Sequence, residues 1–160
     1  MSDQVVVERQ VVIAAPQRAV FGFLSDYHND PKWRAEVERM EYPTPLEIGA
    51  LLIEYSTFNG KQLRTPTVLL ERDEPHRARV QTPPEFAYYL ENIRTVEEID
   101  ADTSRFTYRL TFDREILRPV MSDLPPAEAI SAWYGGTVEG YLATLKTLLE
   151  DAQPVIRLRL

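Results

Sequence analysis

Apolar and polar residues alternate along residues 4–13: Val5, Val7, Arg9, Val11 and Ile13 share one face, and Val6, Glu8, Gln10 and Val12 the other. That period of two predicts a strand, although neither face is cleanly polar. Ala14-Ala15-Pro16 ends it, and a proline at a first helical position introduces a short helix through Val20, Phe21 and Leu24. After a loop from Ser25, a second short helix is expected to reach about Glu36, with Asp30 as its cap and Pro31 at its first position.

From Val37 to Arg114 the chain breaks into short β-like segments separated by turn chemistry, the pattern of an antiparallel meander and not of βαβ units. Asn59-Gly60 supplies the two positive φ values of a type I′ hairpin between strands at 51–58 and 61–72. Further breaks at Asp73-Glu74-Pro75, Pro83-Pro84 and Asp100-Ala101-Asp102 leave strands near 76–81, 88–99 and 104–113. Pro66 inside a strand points to an edge position or a bulge. In residues 126–151, Ile130, Trp133, Tyr134, Val138, Tyr141, Leu142, Leu145, Leu148 and Leu149 recur at spacings of three and four, one face of a helix. At about 1.5 Å per residue such a helix is roughly 38 Å long, enough to cross a small domain. The tail 152–160 alternates Ile156, Leu158 and Leu160 with Arg157 and Arg159, which fits either an added strand or disorder.

Strand, two short helices, antiparallel strands and a long C-terminal helix form a distinctive order. The residues that fix it are Ile13-Ala14-Ala15-Pro16 with Val20-Phe21, then Asp26-Tyr27-His28-Asn29-Asp30-Pro31-Lys32-Trp33, and the closing Leu142-Ala143-Thr144-Leu145-Lys146-Thr147-Leu148-Leu149-Glu150. Over roughly residues 4–151 the chain resembles the SRPBCC or START-like superfamily, in particular its polyketide cyclase/dehydrase and lipid-transport branch. The resemblance implies an α+β helix-grip fold: a curved antiparallel sheet of about six to seven strands wrapped around the long helix, with an apolar cavity between. It implies a single START-like domain over 1–160, with a core at 4–151 and a tail at 152–160. Members bind lipids, sterols, polyketides, hormones or quinones, and a minority catalyse cyclisation or dehydration of such ligands. One departure stands out. Many members carry Trp in the middle of the last helix, where this chain has Val138-Glu139-Gly140-Tyr141 after Gly135-Gly136. Three glycines in six residues, each costing about 1 kcal/mol relative to Ala, mark a kink or make room for something.

Composition narrows the chemistry. The 160 residues, 44% apolar, suffice for one core. A net charge of −7, from 18 Lys and Arg against 25 Asp and Glu, repels phosphate backbones, so no nucleic-acid partner is expected. No apolar run approaches the ~20 residues of a membrane helix, and the N-terminus lacks a signal-peptide pattern, so no membrane insertion and a cytoplasmic location are expected. Zero Cys removes disulfides, thiolate nucleophiles and Cys-based metal sites. Asp26, His28 and Asp30 alternate as metal ligands might be arranged, but a loop cap explains them better, and no metal site is expected. His28 would stand near the cavity mouth of the resembling fold, and His76 in an exposed turn; neither has a visible nucleophile partner. Ser56, Ser122 and Ser131 lack a nucleophile-elbow context, and there is no phosphate loop or dinucleotide fingerprint. No catalytic residue and no cofactor are assigned.

The expected binding site is the cavity itself. In 104–113, Phe106, Tyr108, Leu110 and Phe112 fall on one side and are expected to face the long helix. Eight Tyr against six Phe favours a polar-tipped interior, to which Tyr55, Tyr88, Tyr108, Tyr134 and Tyr141 are candidates. The strand at 88–99 admits two registers, because Val96 and Ile99 cannot both face inward without a bulge. If even positions face in, Tyr88, Leu90, Asn92, Arg94 and Val96 line the cavity, with Asn92 and Arg94 as orienting groups; in the other register Tyr89, Glu91 and Ile93 do, and Arg94 is a surface charge. Trp33 packs the second short helix or walls the entrance, and Trp133 lies on the apolar face of the long helix. The apolar segment 115–126 reads as a lid, with packing on the helix or a homodimer contact as its other roles. The function expected from this is binding of a small hydrophobic molecule, a lipid, quinone or polyketide-like aromatic. The alternatives are a polyketide aromatase/cyclase and a protein-interaction module without a ligand.

Overall fold

A computed structural model describes residues 3–152; the tail from 153 onward, including Ile156, Leu158 and Leu160, lies outside the described residues. Its strands are β1 (Gln4–Ile13), β2 (Val37–Glu41), β3 (Leu51–Phe58), β4 (Lys61–Asp73), β5 (Arg77–Gln81), β6 (Leu90–Asp100) and β7 (Thr103–Asp113). They form one antiparallel sheet in the order β1-β7-β6-β5-β4-β3-β2. β2 to β7 is therefore a meander, and β1 returns to close it on the β7 side. α1 (Gln17–Leu24) and a 3₁₀ helix (Tyr27–Lys32) follow β1, and α2 (Ala127–Asp151) crosses the concave face.

The alternation dictates which face is buried. Ser104, Phe106, Tyr108, Leu110 and Phe112 on β7 all point inward, as do Val5, Val7 and Ile13 on β1. On β6 the even register holds: Asn92, Arg94 and Val96 are buried, while Ile99 is 44% exposed past an irregularity between Glu98 and Asp100. Ile99, at the opposite parity to Val96, is left on the outer face by regular alternation. The Asn59-Gly60 turn has φ of 50° and 75°, as a type I′ hairpin requires. Pro66 pairs with Ile53 on β3 but lies beyond the end of β5, whose pairing stops at Val68↔Gln81, so β4 is locally an edge there.

The second short helix and its cap differ from the expectation, and the alternatives left at the glycines of α2 are decided. The second short helix starts at Tyr27 and ends at Lys32, not near Glu36, and its cap is Asp26, whose carboxylate accepts from the His28 N–H at 3.2 Å. Asp30 sits inside that helix with its side chain turned into the core. An Asp before Pro looks the same in sequence whether it caps or pairs; the partner that decides is 64 residues away. α2, in turn, runs through Gly135, Gly136 and Gly140 as one continuous helix. The room at Gly135 is used by Arg9 of β1: a Cβ there would lie 2.1 Å from Arg9 Nη2. Arg9 lies across the helix and pairs with Glu139 at 2.9 Å.

α2 lies closest to β1, and the core divides accordingly. The larger cluster joins α2, α1, Trp33 and the inner faces of β1 and β7, whereas Tyr27, Val37, Met40, Leu52, Leu69 and Val80 form a second under β2 to β5. Between the two clusters the curved sheet stands away from the helix.

Candidate functional site

At the bottom of that gap lies a buried ion network. Asp30 is 0% and Arg94 1% exposed. The Arg94 guanidinium donates Nη1 to Asp30 Oδ1 at 3.0 Å and Nη2 to Oδ2 at 2.6 Å, a two-pronged pairing. Two further donors reach the Leu24 carbonyl (2.8 Å) and Asn92 Oδ1 (2.9 Å), and Asn92 donates in turn to the Arg109 carbonyl at 3.1 Å. Arg34 Nη1 bonds both Asp30 Oδ2 (3.0 Å) and Glu54 Oε1 (2.8 Å). The rings of Tyr27 and Trp33 stack on Arg94, 4.3 and 5.1 Å from its guanidinium carbon. Burial works against both guanidinium charges, but Asp30 and Tyr27 around Arg94, and Glu54, Tyr108 and Asp30 around Arg34, outweigh it and raise both above the ordinary value.

A set of phenols surrounds the network. Trp33, Tyr108 and Tyr141 meet edge to face at 6.0 to 6.4 Å between centroids. The Tyr134 and Tyr141 hydroxyls are 2.9 Å apart, and Tyr141 hydrogen-bonds to Glu36. Burial raises Tyr108, Tyr134 and Tyr141 above the ordinary phenol value and pushes Tyr27 up to about 12, so all four stay protonated at neutral pH.

Above these groups opens a cavity of about 90 Å³. Its polar lining comprises Asp30, Arg34, Glu54, Asn92, Arg94 and the phenols Tyr27, Tyr108 and Tyr134, with the hydroxyls of Ser56, Thr65 and Thr67 on β3 and β4. Leu110 and Phe112 on β7, Met40, Val80 and Leu90 form apolar walls, and Phe58, Leu63, Ile116 and Leu117 lie toward the rim. Ile116 and Leu117 belong to the segment after β7, which the Asn59 side chain ties to the β3–β4 turn through the Val120 carbonyl at 3.1 Å. The apolar run after β7 thus covers one end of the cavity.

Of the residues picked out by pattern, Leu90, Asn92, Arg94, Tyr108, Leu110, Phe112 and Tyr134 come together as lining. Trp33, Phe106 and Tyr141 are buried behind the wall. Tyr55, Tyr88 and Trp133 stand elsewhere. Tyr55 has the opposite parity to Glu54 and Ser56, points to the other face of β3 and stacks under Arg39 at 3.8 Å. Tyr88 precedes β6, which begins only at Leu90, and packs on Phe86. Trp133 is 44% exposed on the flank of α2. Pattern reading passed over Arg34, Glu54, Glu36 and the pairing role of Asp30. The i,i+4 spacing of Asp30 and Arg34 was a signal; nothing local marks Glu54 or Glu36. His28 stacks on Tyr42 at the surface, 3.9 Å between centroids. Among the described residues no group of three or more His, Asp or Glu could hold a metal ion, and no helix is long and apolar enough to cross a membrane.

Comparison with known proteins follows the architecture. The family model described as polyketide cyclase / dehydrase and lipid transport matches residues 4–150. No curated protein is significantly similar. Among solved structures, a START superfamily protein from Mycobacterium smegmatis is similar with a TM-score of 0.72 at 15% identity, over 92% of this chain and 99% of that one. The Zhui aromatase/cyclase from Streptomyces sp. R1128 gives 0.71 at 16%, over 92% and 94%. A norcoclaurine synthase point mutant from Thalictrum flavum, in complex with a transition-state analogue, gives 0.64 at 12%, over 94% and 96%. At such identities the likeness establishes the helix-grip fold alone.

Proposed function

This chain belongs to the polyketide cyclase/dehydrase and lipid-transport family, and from that premise we propose that it binds a small, ring-bearing apolar molecule with one oxygen-bearing end in the cavity between sheet and α2. The observation that carries the reading is the division of the cavity into apolar walls and a polar end. A single water needs about 10–15 Å³, so a cavity of about 90 Å³ has room for a small molecule. Burial of rings against Leu90, Leu110 and Phe112 would supply affinity at about 25 cal/mol per Å². Tyr108 and Tyr134 would fix the orientation.

Binding is favoured over cyclisation by the state of the cations. The terminal nitrogens of Arg34 and Arg94 are engaged by Asp30 and Glu54, which leaves no unpaired cation to polarise a carbonyl. The buried phenols are raised by desolvation, away from acid–base work at neutral pH.

The test is native mass spectrometry of the purified protein beside its denatured mass, with extraction of what is released. The expected result is a small molecule lost on denaturation and absent from Leu110→Trp, whose larger side chain fills the cavity, while that variant still melts cooperatively. An identical apo mass for both proteins, with no thermal shift across lipid, quinone and aromatic panels, would move the assignment to an interaction module.

A further inference from the structure

The hydroxyls behind the cavity wall have a direction, and hydrogen counting fixes it. A carboxylate only accepts, and a phenol has one hydrogen to give. Tyr141 donates to Glu36, so the bond between Tyr141 and Tyr134, 2.9 Å long, has Tyr134 as its donor. Tyr134 is then left with lone pairs and no hydrogen. Tyr134 belongs to the lining of the cavity, within electrostatic reach of Tyr108, Arg34 and Glu54 at the polar end.

We propose that Tyr134 is a specificity-determining acceptor that selects ligands carrying a hydroxyl or N–H donor at the polar end, and that Tyr141 and Glu36 impose this choice from behind the wall. The inference rests on the cavity being a ligand site and names the chemistry that site takes: a phenol or alcohol in preference to its ether. An ether oxygen set against Tyr134 would face a lone pair with a lone pair. The other polar groups do not undo this preference. The hydroxyls of Tyr108, Ser56, Thr65 and Thr67 can rotate to give or accept, Asn92 and the terminal nitrogens of Arg34 are held by protein partners, and the two lining donors without a partner among the described residues, Arg34 Nε and the Tyr27 hydroxyl, are enclosed by protein. Glu36 is half-buried and Tyr141 is 3% exposed, so the polarising carboxylate stands nearer to solvent than the group it directs.

The test is calorimetric titration of the full chain with naphthalene, 2-naphthol and 2-methoxynaphthalene. The wild-type protein is expected to favour 2-naphthol over the ether by about tenfold, the cost of one buried group left without its partner. Tyr141→Phe keeps the shape of the cavity but returns the hydrogen to Tyr134, so the preference should collapse to within about threefold through tighter binding of the ether. Glu36→Ala, at a half-buried position, should move the preference in the same direction. A preference that survives unchanged in both variants would reflect size and overturn the relay, as would equal wild-type affinities for the two probes. No saturable heat even with naphthalene would overturn the cavity reading itself.

Discussion

Asp30 carries two structural debts at once, since both Arg94 and Arg34 depend on its carboxylate for charge balance. Removing one partner of a buried pair leaves the other charged and dry, which typically costs about 3–5 kcal/mol. Arg94→Met is therefore expected to lose stability in that range by urea unfolding. Adding Asp30→Asn to it should cost less than Asp30→Asn costs alone, because one of the two cations that Asp30 balances is already gone and only Arg34 remains. Strictly additive losses would show that the pair is not coupled as its 2.6 Å contact implies. This residue also marks where sequence reading stops. The alternation of β7 shows directly which side chains face inward, but near Asp30 the one local signal is Arg34 at i+4, which fits a surface pair as well as a buried one, and the deciding cation, Arg94, sits on a strand whose register the sequence left open.

Elements were more legible than their partners. β1, α1, the Asn59-Gly60 hairpin, β7 and α2 all follow from periodicity and turn chemistry, because each is decided by residues within a few positions of one another. What α2 does with its glycines depends instead on β1. Arg9 occupies the space over Gly135, whereas Gly136 and Gly140 would place a Cβ in open space. Gly136→Ala and Gly140→Ala should each stabilise the protein by roughly 0.5–1 kcal/mol through helix propensity. Gly135→Ala should gain less, since the new methyl displaces Arg9 from Glu139. Thermal unfolding of the three variants checks the order, and an equal gain at all three would remove the role given to Arg9.

At the scale of the whole molecule, a helix lying along one half of a curved sheet leaves the other half to be covered by the 3₁₀ helix, β2 and the segment after β7. The cavity is the space those pieces do not fill, and its polar end is where the buried ions and phenols converge. The helix-grip outline could be read from the order of elements, but the cavity could not: filled and open interiors need the same inward-facing residues, and only the distances between elements separate them. A molecule much larger than the space enclosed would have to displace Ile116 and Leu117 at the rim.

The most direct measurement is a methyl NMR titration of the full chain with 2-naphthol. The account predicts saturable shifts confined to Met40, Leu63, Thr65, Thr67, Val80, Leu90, Leu110, Ile116 and Leu117, the methyl-bearing residues that line the cavity, with none at the exposed Val6, Val12, Ile48 or Leu148. Shifts centred on those surface methyls, or no saturable shift at Leu110, would contradict it.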